Sequence, residues 1–159
     1  MGYCECALNQ IVCEAFELVA GEVVLVLHRL SIKTRSRVEF QNITRAVQEV
    51  VDSSRFESGV CYVFVPHTTA AVTLNEQADP SVVEDIAQQL EAIVPQHGNY
   101  HHSEGNSPAH IKASLFSSSE AVLVEDGRLV LGTWQGIFFC EFDGPRNRSV
   151  LVKILPDNR

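Results

Sequence analysis

The sequence predicts a single α+β domain built mainly on an antiparallel sheet or sandwich, with a few helices packed against it. Two observations lead there: most strand-like apolar runs are neighbours in the chain, and only a few segments carry the spacing of a buried helical face. The chain has 159 residues, 45% of them hydrophobic, which is enough for one ordinary core.

From Val23 to Ile32 the chain is rich in Val and Leu, and Lys33 to Phe40 alternates charged with apolar residues, so a long or bent strand is expected. Asn42 or Thr44 then caps a short helix whose apolar residues Ile43, Ala46, Val47, Val50 and Val51 share one face. Strand Val60–Val65 follows, with a second run over Ala71–Leu74. Asp79-Pro80 opens a helix, the carboxylate capping it and the proline occupying its first turn, with Val83, Ile86, Ala87, Leu90 and Val94 as its stripe. Ser107-Pro108 repeats that logic and places His110 in the first turn of a short helix ending near Phe116. Asp126-Gly127 suits the positive backbone angles of a type I′ hairpin between Ala121–Glu125 and Arg128–Thr133. Two further strands, Gly136–Phe142 and Arg148–Leu155, complete a run of four.

The formal net charge of -8 argues against nucleic-acid and anionic-membrane partners, because phosphate-backbone affinity comes from clustered Lys and Arg. Glu5, Glu14, Glu17 and Glu22 interrupt the apolar N-terminal stretch, so neither a signal peptide nor a membrane span is expected. Five cysteines without a Cys-x-x-Cys pair read as reduced thiols in a cytoplasmic protein. Cys4 and Cys6 offer a weaker metal-binding alternative.

Five of the six histidines lie between His67 and His110. Imidazole binds metals and exchanges protons near neutral pH, so this density marks a site. His67 sits in Pro66-His67-Thr68-Thr69-Ala70 and His110 in Ser107-Pro108-Ala109-His110-Ile111-Lys112. Further motifs are Thr73-Leu74-Asn75-Glu76, the run from Asp126 through Gly132-Thr133-Trp134-Gln135-Gly136 to Ile137, and Glu141-Phe142-Asp143-Gly144-Pro145-Arg146.

Taken together these motifs closely resemble the YjbQ-like family, whose members carry the name secondary thiamine-phosphate synthase. The resemblance runs from about Leu27 to Leu155, so residues 23–159 are taken as the YjbQ-like domain and residues 1–22 as an N-terminal extension outside it. It implies a β-sandwich with packed helices, a homotrimer with its pocket near a subunit boundary, and a small phosphate-bearing substrate. The implied reaction joins a pyrimidine-methyl diphosphate to a thiazole phosphate and releases pyrophosphate. The alternatives are a metal-dependent phosphate-ester hydrolase and a non-enzymatic trimer that binds a metal or a small anionic metabolite.

His67, His102 and His110 match the family's pattern and are the candidate ligands of a divalent metal, Zn or Mg. His101, beside His102, is the alternative in register. The loop Ser103–Ala109 is shorter than is usual in the family and leaves Glu104 as its one acidic donor; Thr69 replaces the more usual serine. His67, His110 and Glu76 are the candidate catalytic residues. Arg37, Lys112, Asn75, Trp134 and Gln135 are the candidate substrate-binding residues, with Arg35, Arg146 and Arg148 as further cations for an anion. Each also has a plain structural reading: a strand-end histidine, a surface cation balancing carboxylates, a capping amide, a packed tryptophan.

Overall fold

The computed structural model describes the backbone of Cys4–Glu5, 12–20 and 23–157, with side chains from Val26 onward. Strands β1 (Cys4–Glu5), β2 (Val12–Ala20), β3 (Val23–Lys33), β5 (Gly59–Phe64), β7 (Ser119–Glu125), β8 (Arg128–Leu129) and β10 (Asn147–Pro156) form a seven-stranded antiparallel sheet in the order β1-β2-β3-β10-β5-β7-β8. β4 (Glu39–Asn42), β6 (Ala70–Glu76) and β9 (Gln135–Glu141) form a three-stranded sheet with β9 at its centre. The helices are α1 (Thr44–Ser54), α2 (Pro80–Ile93) and α3 (Ser107–Leu115). The α+β, sheet-dominated architecture is therefore as expected. The N-terminal extension contributes backbone to β1 and β2, while the side chains of Cys4, Cys6 and Cys13 lie outside the described residues.

Alternation on the large sheet decides where the core forms. Leu30, Ile32, Cys61, Val63, Val122, Val124, Val150, Val152 and Ile154 turn inward and meet α1 through Ala46, Val47, Val50 and Val51. The small sheet closes this core with Val72, Ile137 and Phe139. Its opposite face carries Ala71, Phe138 and Cys140 and forms a second core with Leu90 of α2 and Ala109 of α3. β9 is thus apolar on both faces because it is covered on both faces.

Two expectations about connectivity change. The run from Val23 to Phe40 is divided, because Glu39 Oε2 accepts the backbone N–H groups of Arg35 (2.6 Å) and Ser36 (3.0 Å), turning the chain so that β4 joins the other sheet. The last four strands are not consecutive neighbours: β9 crosses to the small sheet, and β10 inserts between β3 and β5. The α2 stripe is shallower than its spacing suggests, with Leu90 buried and Val83 and Ile86 only partly covered, because that helix packs on one side of the small sheet.

The cap of α1 differs from expectation: Ile43 holds the N-cap position without a side-chain cap, and Asn42 Oδ1 accepts the Thr44 N–H from one residue further out. The cap of α2 is as expected, Asp79 Oδ1 accepting the Ser81 N–H. Asp126 and Gly127 have φ of 51° and 70°, as a type I′ turn requires. Among the described residues no helix is long and apolar enough to cross a membrane.

Candidate functional site

α3 begins at Ser107, with Pro108 in its first turn and Asn106, not Ser107, at the N-cap position; the Asn106 carbonyl accepts the N–H groups of Ala109 (2.9 Å) and His110 (3.3 Å), which puts His110 on the first turn. The loop before it folds back so that the His102 and His110 rings meet edge to face, centroids 5.4 Å apart at 86°. They line an open cavity of about 380 Å³ together with Tyr100, His101, Ser107 and Ile111. Tyr100 is fixed: its hydroxyl donates to the Pro95 carbonyl at 2.7 Å, and its ring lies so close over Gly98 that a Cβ there would come within 2.9 Å of it. Glu104 Oε2 stands 3.8 Å from His102 Nε2. Both histidines of the ambiguous pair reach the cavity wall, and His102 is the one that faces His110.

Lys112 is 1% exposed, and its ammonium donates to Glu91 Oε2 at 2.6 Å. Glu91 also accepts the Gln96 N–H, and the Lys112 bond, more than any other contact, holds its carboxyl below the usual range. This pair ties α3 to α2 and so fixes the helix that carries His110.

A second cluster forms where β6, β9 and β10 meet. Glu141, fully buried, takes both Arg148 Nε (2.7 Å to Oε2) and Nη2 (2.6 Å to Oε1). Arg148 Nη2 also donates to Thr69 Oγ1 at 2.8 Å, and the Thr34 hydroxyl donates to Glu141 Oε2 at 3.2 Å. The backbone N–H groups of Phe142 and Asp143 complete the carboxylate's shell. Beside it, His67 Nε2 accepts the Ser149 N–H at 2.9 Å. Burial, and then the positive charge of Arg148, keep the His67 ring below its ordinary pKa. Asp143 links the clusters by accepting from Asn106 Nδ2 (3.2 Å) and from Arg146 (2.6 Å). Burial raises its pKa, but the bonds from Arg146 and Asn106 outweigh that and hold it low. Asn106 Oδ1 is buried without a hydrogen-bond partner among the described residues.

The remaining predicted residues lie elsewhere. Asn75 and Glu76 pair with Gly136 and Gln135 at one end of the small sheet, whereas Ala70 pairs with Glu141 at the other. At roughly 3.3 Å per residue, the length of β6 separates the two ends by about 20 Å. There Asn75 Oδ1 accepts the N–H of Glu76, and Gln135 Oε1 accepts the N–H of Gly132, both at 2.8 Å. Trp134 is 63% exposed in the intervening turn, so the packed-tryptophan reading fails within this chain. Arg35 and Arg37 are exposed, and the Arg37 carbonyl accepts the Gly144 N–H.

Among the described residues, no three His, Cys, Asp or Glu side chains are grouped so as to hold a metal ion. His102 and His110 supply two neighbouring donors, and His67, bonded to Ser149, belongs to the other cluster. Cys61 and Cys140 are buried thiols whose pKa values burial raises, that of Cys61 to about 12, so neither is a ready nucleophile. Glu141 is the residue sequence reasoning missed. Its signal was a lone carboxylate ending the apolar run Ile137–Cys140, seven positions before Arg148.

The family model described as "UPF0047 protein YjbQ-like" matches residues 28–157. A UPF0047 protein of Methanocaldococcus jannaschii is 47% identical over 135 residues, 85% of this chain and 98% of that one. The UPF0047 protein YugU of Bacillus subtilis is 46% identical over 131 residues, 82% of this chain and 99% of its own. Among solved structures, a YjbQ/UPF0047-family protein of Clostridium acetobutylicum superposes with a TM-score of 0.79 at 53% identity, covering 80% of this chain and 98% of that one. A YbjQ-like protein of unknown function from Sulfolobus solfataricus gives a TM-score of 0.80 at 30% identity, with 91% and 99% covered.

Proposed function

This chain belongs to the YjbQ-like UPF0047 family, and from that premise we propose that it is a thiamine-phosphate synthase-like transferase working at the His102–His110 cavity. The observation that carries the reading is the cavity itself: a space of about 380 Å³ walled by a fixed phenol ring and two imidazoles set at right angles. Its flat side chains suit heterocyclic rings.

In the proposed reaction the thiazole nitrogen attacks the pyrimidine methylene. A C–N bond forms as the C–O bond to the diphosphate breaks, and the bonding pair leaves with pyrophosphate. No proton has to be removed, so the absence of a strong base in this cavity is no obstacle. The demand on the protein is to orient two rings and to meet the charge of the leaving group. A divalent metal, Zn or Mg, would supply that charge if bound. Two imidazoles are too few for a closed metal centre within one chain, and no step is assigned to a metal.

The proposal includes a cytoplasmic homotrimer with the cavity near a subunit boundary. Its support is that Ile111, which lines the cavity, and Leu115, one turn further along α3, are exposed apolar residues on one helix face. A binding protein without turnover is the second reading. It is favoured by the internal pairing of Lys112, Arg146 and Arg148, which leaves fewer cations for a pyrophosphate.

The test is direct detection of thiamine phosphate from thiazole phosphate and the pyrimidine diphosphate with added Mg²⁺. Product from the parent and its loss in His110→Ala are expected. No product from metal-replete parent protein rejects the transferase in favour of the binding reading.

A further inference from the structure

We propose that the outer face of the seven-stranded sheet, centred on β5, β7 and β10, is a surface at which copies of this chain meet. The inference deepens the assembly part of the preceding reading, on which it rests for the presence of further copies, and takes nothing from the proposed reaction.

Strand alternation creates the face. Cys61, Val63, Val122, Val124, Val152 and Ile154 point into the main core, so the residues between them point the other way. Register then brings those residues side by side. Val60 stands between Leu123 and Leu155, Tyr62 between Ala121 and Lys153, and Phe64 between Ser119 and Leu151. An antiparallel sheet with one wet face carries polar residues there. Here Leu123 is 62%, Leu155 43%, Tyr62 41% and Phe64 37% exposed, and they adjoin one another across three strands. α1 and the small sheet lie on the opposite face, with α2 and α3 beyond the small sheet, so no described helix covers this one.

The N-terminal extension does not reach over the face, because β1 and β2 continue the sheet edgewise beyond β3. A second copy fits it in size and charge. The adjacent strands from β2 to β7, about 4.8 Å apart, and the length of β10, at roughly 3.4 Å per residue, outline about 800 Å². One partner brings about 800 Å² to an interface of standard size. The centre is apolar, and Lys33, Asn147 and Glu125 stand towards its margins, as at an interface with a dry core and a polar rim. Within the face, Lys153 and Arg29 have no carboxylate partner among the described residues. A chain with 20 Asp and Glu against 12 Lys and Arg offers such partners from its own surface.

Light scattering at micromolar concentration, on the full chain and three single variants, tests the face. Leu123→Glu and Leu155→Glu each put a carboxylate among its apolar residues, and neither leucine belongs to the buried core. Both variants should keep the far-UV circular dichroism of the parent and fall to the mass of one chain. Gln89→Glu adds the same charge on exposed α2 and should keep the mass of the parent. Acetylation with N-acetylimidazole, mapped by mass spectrometry, should modify Tyr62 far faster in Leu123→Glu than in the parent. A parent trimer whose mass neither leucine substitution changes overturns the face and leaves the trimer standing. A parent dimer that both substitutions dissociate supports the face and overturns the trimer. A monomeric parent overturns both, and a Gln89→Glu variant that dissociates as readily overturns the face. If Leu123→Glu does not fold, Leu155→Glu decides by the same two measurements.

Discussion

Arg148 grips Glu141 side-on, Nε to Oε2 at 2.7 Å and Nη2 to Oε1 at 2.6 Å, with the carboxylate wholly withdrawn from water. Removing one member leaves a buried charge unanswered. Arg148→Ala should therefore cost about 3–5 kcal/mol in urea unfolding. Thr69→Val removes one hydrogen bond to the guanidinium, and should cost about 1.5–3 kcal/mol. Equal losses in the two variants would mean that the ion pair matters no more than its hydroxyl partner.

Lys112 and Glu91 differ in surroundings, the lysine side chain 2% and the glutamate 52% exposed. Without the ammonium, Glu91 returns to solvent at little cost, so most of the contribution of Lys112 lies in its packed stem. Lys112→Met should cost about 1 kcal/mol or less, whereas Lys112→Ala should cost roughly 2–5 kcal/mol by analogy with truncated apolar side chains. Chemical denaturation measures both, and a Met variant as unstable as the Ala variant would contradict this division.

The His67 ring is depressed below its ordinary pKa of 6.5, first by burial and then by Arg148; His28 shifts the same way through burial. The unfolded chain then binds more protons than the folded one just below pH 6.5, so stability rises with pH there. The contribution is complete above the unfolded value and is lost as pH falls through the folded value. Urea midpoints should thus fall between about pH 7.5 and about pH 5.5, and His67→Gln should flatten part of that slope and leave the His28 share. A slope unaltered in His67→Gln would remove His67 from the explanation.

Light scattering should return a trimeric mass for the proposed assembly. Leu115→Glu, which charges a residue 58% exposed on α3, should shift that mass towards the monomer without lowering the melting temperature of the subunit. A parent of monomeric mass would remove the trimer, and a trimer indifferent to Leu115→Glu would move the interface away from this helix.

What the sequence made legible was local. Asp79-Pro80, Ser107-Pro108 and Asp126-Gly127 act through backbone geometry a few residues away, and each marks the element expected of it. What stayed hidden depends on partners remote in the chain. His67 and Ser149 are 82 residues apart, and nothing in either segment says that a side-chain nitrogen will stand in for a strand carbonyl. Lys112 reads as a surface cation because its burial is created by α2. Asn75, Glu76, Trp134 and Gln135 fall in family motifs, as the histidines do, yet strand β6 places them at the far end of its sheet. Spacing shows which face a residue occupies, and only the topology shows which end.

The place of β10 bears on how the protein is made. During synthesis β3 and β5 emerge early, and each exposes an edge that only β10, the last strand of the fold, can fill. The large sheet cannot close around its core while the chain is still growing towards residue 147. Between the emergence of β5 and that of β10 the growing chain must therefore carry two unpaired strand edges beside its apolar core residues, which leaves it open to edge-to-edge pairing with other chains.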